Sequence, residues 1–208
     1  MIRLDMSEFQ TDEAVDRLIG SASKGLYGVM TSAVAKAPYS ILLLDELEKA
    51  YPKALDLFLQ ILDDGRCTDG QGRTVDFTNT VLIMTSNIGS QEILRESNVE
   101  ARGKIINELL RRTLKPEFLN RIDEIVRFKS LSVSDIEQIV QHYVRATQTL
   151  VRESGFDVEF SNEAIKALGE RGYDPEFGAR PVRRLFQKEI QSRIAKFILS
   201  SKNLLIFF

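Results

Sequence analysis

Short apolar runs alternate with stretches of helical spacing along residues 1–129. Ile41–Leu44 are four consecutive apolar residues, and such a run predicts a strand that is buried on both faces. Thr80–Thr85 is predicted to be a second buried strand and Ile125–Phe128 a third, and a shorter strand is predicted at Ile2–Met6. This alternation of strands and helices predicts an α/β fold built on an open sheet.

The pattern changes near Lys129–Ser132, and we place a domain boundary there, between residues 1–129 and 130–208. Helical spacing dominates beyond it. Ser134, with Glu137 three residues later, predicts a capping box at the start of a helix. Two short apolar stretches, one near the middle of this region and one at its end, predict strands. The second domain is therefore expected to be small and mainly helical, with short strands.

Composition narrows the possible partners and compartments. Hydrophobic residues make up 43% of the 208 residues and charged residues 28%, which is typical of globular proteins and excludes wholesale disorder. The net charge of −2 favours neither nucleic acid nor an anionic membrane as a partner. A single cysteine, Cys67, excludes an internal disulfide and favours a reducing, cytoplasmic compartment. A single histidine excludes a histidine-rich metal site, and apolar runs are shorter than a membrane span requires.

Two carboxylates follow the central apolar run directly. Asp45 and Glu46 are expected where the strand leaves the sheet, and in open α/β sheets ligands bind beyond the carboxyl ends of the strands. A buried strand that ends in two acids is the Walker-B pattern of nucleoside triphosphatases. The same residues also fit a core strand that runs into an acidic turn. Asn87, after the second buried strand, is a candidate for binding a water or a phosphate oxygen at this edge, or for closing an Asx turn.

Eight ordered blocks of sequence together resemble one protein family. They are Arg3–Phe9, Arg17–Gly20, Pro38–Ala50, Leu62–Arg66, Thr68–Phe77, Met84–Asn87, Lys115–Glu124 and Gly172–Pro181. In these blocks the chain resembles the second ATPase module of the Clp-type AAA+ disaggregases and unfoldases, with the ClpB-like disaggregases as the nearest type. The resemblance implies an AAA+ core with a parallel sheet, followed by a small helical lid domain.

The resemblance also implies a role for the polar residues at the end of the sheet. Asp45 would hold Mg²⁺, Glu46 would activate the attacking water, and Asn87 matches sensor 1, which positions that water. ATP and Mg²⁺ are therefore the expected cofactors of the intact family member.

Two arginines match family positions as well. Arg121 matches the arginine finger, which reaches the γ-phosphate of ATP held by a neighbouring subunit. A planar guanidinium suits that task, although a salt bridge to Asp123 or Glu124 is the simpler alternative. Arg180 matches sensor 2, which contacts the nucleotide from the small domain. It precedes Pro181 at the start of a predicted helix, where the helix dipole disfavours a cation unless an anion joins it.

The phosphate-binding motif G-x-x-x-x-G-K-[ST] does not occur in the 208 residues. The one Gly-Lys pair is Gly103-Lys104, but Asn98 stands at the position of the first glycine and Ile105 follows the lysine. In the family this loop lies upstream of the strand at Ile2–Met6, so we expect the chain to begin after the first strand and the phosphate loop. Most phosphate affinity depends on that loop. The isolated chain is therefore expected to be inactive as an ATPase and to self-associate weakly.

Tyr27 matches the aromatic residue that grips polypeptide in the central pore of the family's hexameric ring, although the loop that follows it here is shorter than the family's. The expected partners are unfolded or aggregated polypeptide and copies of this chain or of an intact homologue in a ring. Two alternatives stay open. One is a non-hydrolysing AAA+ paralogue that acts as an interaction module. The other is a peptidase-coupled unfoldase, which the lack of a Gly-Phe-type docking loop between Asn87 and Pro116 disfavours.

Overall fold

The computed structural model describes residues 1–96, 98–174, 177–200 and 206–207. The chain divides into two compact units, Met1–Val126 and Arg127–Phe208. Each unit encloses its own cluster of buried apolar side chains.

The first unit alternates strands and helices. Its elements are β1 (Ile2–Asp5), α1 (Ala14–Ile19), β2 (Gly20–Ser21), β3 (Leu26–Tyr27), α2 (Val29–Lys36), β4 (Ile41–Asp45), α3 (Pro52–Asp64), β5 (Arg66–Thr68), β6 (Thr74–Asp76), β7 (Val81–Met84), α4 (Ser90–Arg95), α5 (Val99–Thr113) and α6 (Pro116–Leu119). Short 3-10 turns follow β1 and β4, at Met6–Glu8 and Leu47–Lys49. Helix α3 begins at Pro52, and β5 and β6 pair as an antiparallel hairpin.

The first unit is built on a parallel sheet with the strand order β1-β4-β7. Leu42 and Leu44 of the central strand are fully buried on one face, against a core that includes side chains of α1, α2 and α3. On the other face Ile41 is 39% exposed and Ile83 of β7 is 44% exposed. The prediction that this strand is buried on both faces is therefore wrong for one face, because the helices of the core cluster pack on the side of Leu42 and Leu44.

The predicted third strand, Ile125–Phe128, does not form. The described chain there has no regular secondary structure, and Val126 and Phe128 are 66% and 88% exposed. A strand needs a neighbour whose backbone can pair with its own N–H and C=O groups. The described sheet ends at β7, which pairs only with β4 among the described strands. The apolar run has the residue composition of a strand. A strand also needs a neighbouring strand to pair with, and none of the described strands pairs with these residues.

The second unit is mainly helical. Its elements are α7 (Val133–Glu153), β8 (Val158–Glu159), α8 (Asn162–Gly172), α9 (Arg180–Phe186), a π-helical segment (Gln187–Gln191), α10 (Ser192–Ser200) and β9 (Ile206–Phe207). β8 and β9 pair in parallel. Gly172 is required where α8 approaches α9, since a Cβ at this position would lie 2.8 Å from Cα of Val182.

The capping box of α7 lies two residues earlier than the predicted one. Ser132 Oγ accepts the N–H of Asp135, and the Asp135 carboxylate accepts the N–H of Ser132. The pairing of Ser134 with Glu137 is therefore wrong. The motif Ser-x-x-acid occurs twice in six residues, and the chain path into the helix selects the first copy.

None of the helices that the structure describes combines the length and the apolar character needed to cross a bilayer.

Candidate nucleotide site at the carboxyl edge of the sheet

The three parallel strands bring their carboxyl ends to one edge of the sheet. Asp5 at the end of β1 stands in register with Asp45 at the end of β4, and Leu44 stands in register with Met84 of β7. Thr85 therefore follows β7 beside the two acids of β4. This edge brings together Asp45, Glu46 and Asn87, three of the residues that the sequence predicted to be functional.

Asp45 is held by two donors from neighbouring strands. Arg3 Nη2 lies 2.5 Å from Oδ2, and the Thr85 hydroxyl donates to Oδ1. The hydrogen bond from Thr85 and then the contact with Arg3 keep the pKa of the Asp45 carboxyl below its ordinary value. Asp45 is thus a deprotonated carboxylate at the edge of the sheet, as a hard cation requires.

Glu46 has an unusual backbone. Its φ of 57° places it in the left-handed region, and it is the one residue other than glycine with positive φ in the described parts of the chain. Such conformations cost about 1–3 kcal/mol and cluster at functional sites. The Glu46 N–H donates to Thr85 Oγ1 over 3.2 Å, which helps to hold this geometry. Its carboxylate lies 2.5 Å from Lys49 Nζ, and this contact raises the pKa of Lys49.

Thr85 is a candidate site residue that the sequence analysis did not identify. Its hydroxyl donates to Asp45 and accepts from the N–H of Glu46, so one side chain connects both acids. Its backbone N–H donates to Leu44 O, and its carbonyl accepts from Leu47 N–H, at 2.9 Å each. The sequence does show a hydroxyl residue at the end of the strand before Asn87. It does not show that this hydroxyl contacts Asp45 and Glu46, because that depends on which strands are neighbours.

Asn87 lies two residues beyond Thr85 and is attached to the Walker-B segment through its backbone. Its N–H donates to Glu48 Oε1 over 3.2 Å, while Glu48 Oε2 is buried without a hydrogen-bond partner. The side-chain hydrogen bond of this turn comes from Ser86, whose hydroxyl accepts the N–H of Ile88. Asp45, Glu46 and Asn87 therefore share one edge, and the Asn87 side chain is exposed there.

Arg121 follows α6 and forms an ion pair with Asp63 near the end of α3. From the sequence, a salt bridge to Asp123 or Glu124 is the simpler alternative for Arg121. Arg121 does form an ion pair, but its partner is Asp63. In this pair, Nε of the guanidinium contacts Oδ1 of Asp63. The Arg121 side chain is 55% exposed.

Tyr27 lies on a different element of the first unit, and Arg180 belongs to the second unit. Tyr27 is in β3, which forms a two-residue hairpin with β2, and it is 70% exposed. The guanidinium carbon of Arg73 lies 6.0 Å from the centroid of the Tyr27 ring. Arg180 is exposed at the first residue of α9 in the second unit, one residue before Pro181.

The donor set at this edge fits Mg²⁺ only as a partial site. No group of three or more His, Cys, Asp or Glu side chains that could hold a metal occurs in the described residues. Mg²⁺ is commonly bound by one or two carboxylates, with waters and substrate phosphates as the other ligands. Asp45 is the carboxylate for such a site, because it is ionised and each of its oxygens has a second lone pair.

A cavity of about 460 Å³ lies elsewhere in the first unit, between the second half of α5 and α6. Its lining includes neither the two Walker-B acids nor Asn87. The lining residues are Asn107, Leu110, Arg111, Pro116, Leu119, Asn120 and Ile125.

Family models match both parts of the chain. Residues 1–125 match the model described as AAA domain (Cdc48 subfamily). Residues 131–204 match the model of the C-terminal, D2-small domain of ClpB protein.

Individual relatives extend over nearly the whole chain. The chaperone protein ClpB of Bdellovibrio bacteriovorus is 49% identical over 208 residues, which cover 97% of this chain and 24% of that protein. The ClpB of Aquifex aeolicus is 46% identical and covers 96% of this chain and 21% of that protein. The structure of the S. cerevisiae Hsp104:casein complex in its extended conformation has a TM-score of 0.89 at 37% identity, covering 99% of this chain and 37% of that chain. The predicted fold class is confirmed, and the chain spans about a quarter of the length of the curated relatives it matches.

Proposed function

The chain belongs to the family of AAA domains (Cdc48 subfamily), and from this premise we propose that it is part of an ATP-driven chaperone of the ClpB type. Such a chaperone unfolds and disaggregates proteins by threading polypeptide through the central pore of a hexameric ring. The observation that supports the proposal most directly is the pair of acids at the carboxyl edge of the sheet, which Thr85 connects. Members of this family use ATP and Mg²⁺.

We propose that Asp45 and Glu46 divide the work of hydrolysis. Mg²⁺, when bound, neutralises charge that develops on the transferred phosphoryl group. Asp45 holds the ion, and Thr85 keeps that carboxylate ionised and oriented. Glu46 polarises the attacking water, and the left-handed turn fixes the direction in which its side chain leaves the strand. Because Lys49 pairs with the Glu46 carboxylate, that contact must loosen before Glu46 can accept a proton from water.

Asn87 and the two arginines complete the proposed site. Asn87 positions the attacking water from the end of the neighbouring strand. Arg121 acts as the arginine finger, reaching ATP held by an adjacent subunit, where a planar guanidinium suits the phosphoryl oxygens. Arg180 acts as sensor 2 and contacts the nucleotide of its own subunit from the small domain.

Tyr27 is the proposed contact for polypeptide. An aromatic ring that is 70% exposed on a short hairpin offers apolar area to an extended chain of any sequence. The similar Hsp104 structure is a complex with casein, which supports a polypeptide as the substrate here. Copies of this chain or of an intact homologue are the proposed neighbours in the ring.

A chimera tests this function. Residues 1–208 would replace the matching stretch of the ClpB from Bdellovibrio bacteriovorus, so that the rest of the protein is supplied by the relative. We expect ATP hydrolysis and recovery of an aggregated reporter enzyme, with the share of hydrolysis due to this module and the recovery both lost in Glu46→Gln. A chimera that assembles normally but hydrolyses ATP equally well with Glu46→Gln would refute the assignment.

Mixed rings test the role of Arg121. Removing an arginine finger costs about 10³–10⁵ in rate in related systems, so Arg121→Ala chimeras should be inactive while still binding nucleotide. Mixing Arg121→Ala with Glu46→Gln subunits creates some interfaces that join an intact finger to an intact glutamate. Hydrolysis should then partly return. If mixed rings form and no mixing ratio restores activity, Arg121 does not act across the interface.

A non-hydrolysing interaction module is the second candidate. The observation that favours it is that residues 1–208 contain no G-x-x-x-x-G-K-[ST] motif. This candidate predicts that the chain, added to an intact ClpB relative, enters its ring and changes its hydrolysis rate in proportion to the fraction incorporated. Sedimentation of the mixture combined with a phosphate-release assay distinguishes it from the first proposal.

A further inference from the structure

The turn that joins β5 to β6 packs against the hairpin that contains Tyr27. The Gly70 N–H donates to Ile19 O over 2.9 Å, and the Ala22 N–H donates to Gly70 O over 3.0 Å. A Cβ on Gly70 would lie 2.1 Å from the carbonyl oxygen of Gly20, so the two backbones meet only because residue 70 is glycine. The turn is therefore attached to the first strand of the Tyr27 hairpin, just before β2 at Ile19 and just after it at Ala22.

Two side chains from the same turn contact β3, the second strand of that hairpin. Gln71 Nε2 donates to Leu26 O over 3.1 Å, and the Arg73 guanidinium lies over the Tyr27 ring at 6.0 Å. This distance is at the outer limit of a cation–π contact. Each contact crosses more than 40 residues of sequence, so neither follows from local turn geometry.

Asp69 fixes the orientation of Arg73. Only 5% of Asp69 is exposed, and its carboxylate accepts the backbone N–H groups of Gln71 and Arg73 at 2.9 and 2.8 Å. The same carboxylate accepts Nε of Arg73 at 2.9 Å and lies 2.7 Å from Nη2. A guanidinium held by two nitrogens on a buried carboxylate has a fixed plane. The guanidinium carbon lies over the Tyr27 ring, 6.0 Å from the ring centroid.

We propose that Arg73, oriented by Asp69, is a positioning residue for Tyr27. The inference rests on the proposed function of Tyr27 as the polypeptide contact. A two-residue hairpin such as β2–β3 cannot order an exposed ring by itself. Holding the ring before polypeptide arrives removes part of the ordering cost of binding. The hairpin of β5 and β6 thereby connects the polypeptide-contacting loop to α3, the helix that directly precedes β5.

The mobility of the aromatic ring at position 27 can be measured by fluorescence. The chain contains no tryptophan, so Tyr27→Trp introduces a single indole at this position. We expect Arg73→Gln to raise its quenching by acrylamide and to enlarge the fast phase of its anisotropy decay. A cation–π contact at an exposed site corresponds to about a two- to five-fold change in the fraction of held ring. Arg73→Lys keeps the charge but not the planar fork, and it should restore only part of the effect.

Arg66→Gln is the matched control, because Arg66 is an exposed arginine at the other end of the same hairpin, in register with Asp76. It should leave the indole signal unchanged. If Arg73→Gln also leaves quenching and anisotropy unchanged, or if both variants change them equally, the proposal is overturned.

Binding of fluorescein-labelled casein separates this inference from the proposed function. If both hold, Tyr27→Ala and Arg73→Gln each weaken binding, and Arg73→Gln adds nothing once Tyr27→Ala is present. If Arg73→Gln frees the indole while Tyr27→Ala leaves casein binding unchanged, Arg73 positions Tyr27 and the polypeptide role of Tyr27 fails. If Arg73→Gln weakens binding equally with and without Tyr27, Arg73 acts independently of the ring and the inference fails.

Discussion

Thr85→Val removes the hydroxyl that connects the two acids and keeps nearly the same shape. Two hydrogen bonds are lost, one to the ionised carboxylate of Asp45 and one from the N–H of Glu46. A hydrogen bond contributes about 0.5–1.5 kcal/mol, and more when one partner is charged. Because Thr85 is exposed and water can replace the hydroxyl, we expect a loss of about 1 kcal/mol in the free energy of unfolding at pH 7.

This loss should depend on pH in a defined direction. The pKa of Asp45 in the folded chain lies below its ordinary value of 3.8, and Thr85 is the largest cause. A carboxyl with a lowered folded pKa stabilises the fold above its unfolded pKa, and that contribution disappears as pH falls through the folded pKa. The parent chain should therefore lose more stability on acidification than Thr85→Val. The difference between the two unfolding free energies should narrow below pH 3.8, leaving the pH-independent part that comes from the hydrogen bond of the Glu46 N–H.

Urea unfolding of the 208-residue chain between pH 7 and pH 3 measures this difference. Thr80→Val is the matched control, since the Thr80 hydroxyl donates to the neutral carbonyl of Pro38 over 3.1 Å. Its cost should not vary with pH. Equal pH dependence in the two variants, or no destabilisation by Thr85→Val at pH 7, would refute the view that Thr85 tunes Asp45.

Three further outcomes are expected. In the ClpB chimera, Asp63→Asn should lower kcat about ten-fold by releasing Arg121, whereas the adjacent exposed Asp64→Asn should not; equal rates in steady-state assays would contradict this. Gly172→Ala should destabilise the second unit by about 1–3 kcal/mol in thermal unfolding, because its Cβ would meet α9 at 2.8 Å, while Gly169→Ala, with its nearest contact at 3.5 Å, should be neutral or stabilising. The isolated chain should release no phosphate from ATP and should sediment as weakly associated species with or without nucleotide, and a nucleotide-independent hexamer at micromolar concentration would contradict this.

Some features could be predicted because their signal is local. Four apolar residues followed by Asp45 and Glu46 predicted a strand with two acids at its end, and β4 has this form, with one face buried. Pro52 and the apolar spacing after it determine α3 in the same way. The eight sequence blocks that resemble the AAA+ family then suggested roles for these acids. The polar edge of the sheet lies at the carboxyl ends of the strands, where the strand pattern predicted it.

Other features depend on which elements become neighbours. The bridge from Thr85 to Asp45, the ion pair of Arg121 with Asp63 and the contact of Arg73 with Tyr27 join residues between 40 and 58 positions apart. No local period distinguishes these partners from other hydroxyls and carboxylates of the chain.

The sequence by itself determined which segments are apolar and periodic, and therefore which strands end in acids and where helices begin. The tertiary structure decided whether an apolar run becomes a strand, as the unpaired stretch Ile125–Phe128 illustrates, and which side chains meet at the sheet edge. The physical reason is that the spacing of apolar and polar residues is a property of one segment of the chain. Strand pairing, register and charge contacts require a second segment, whose position is set by packing of the whole unit.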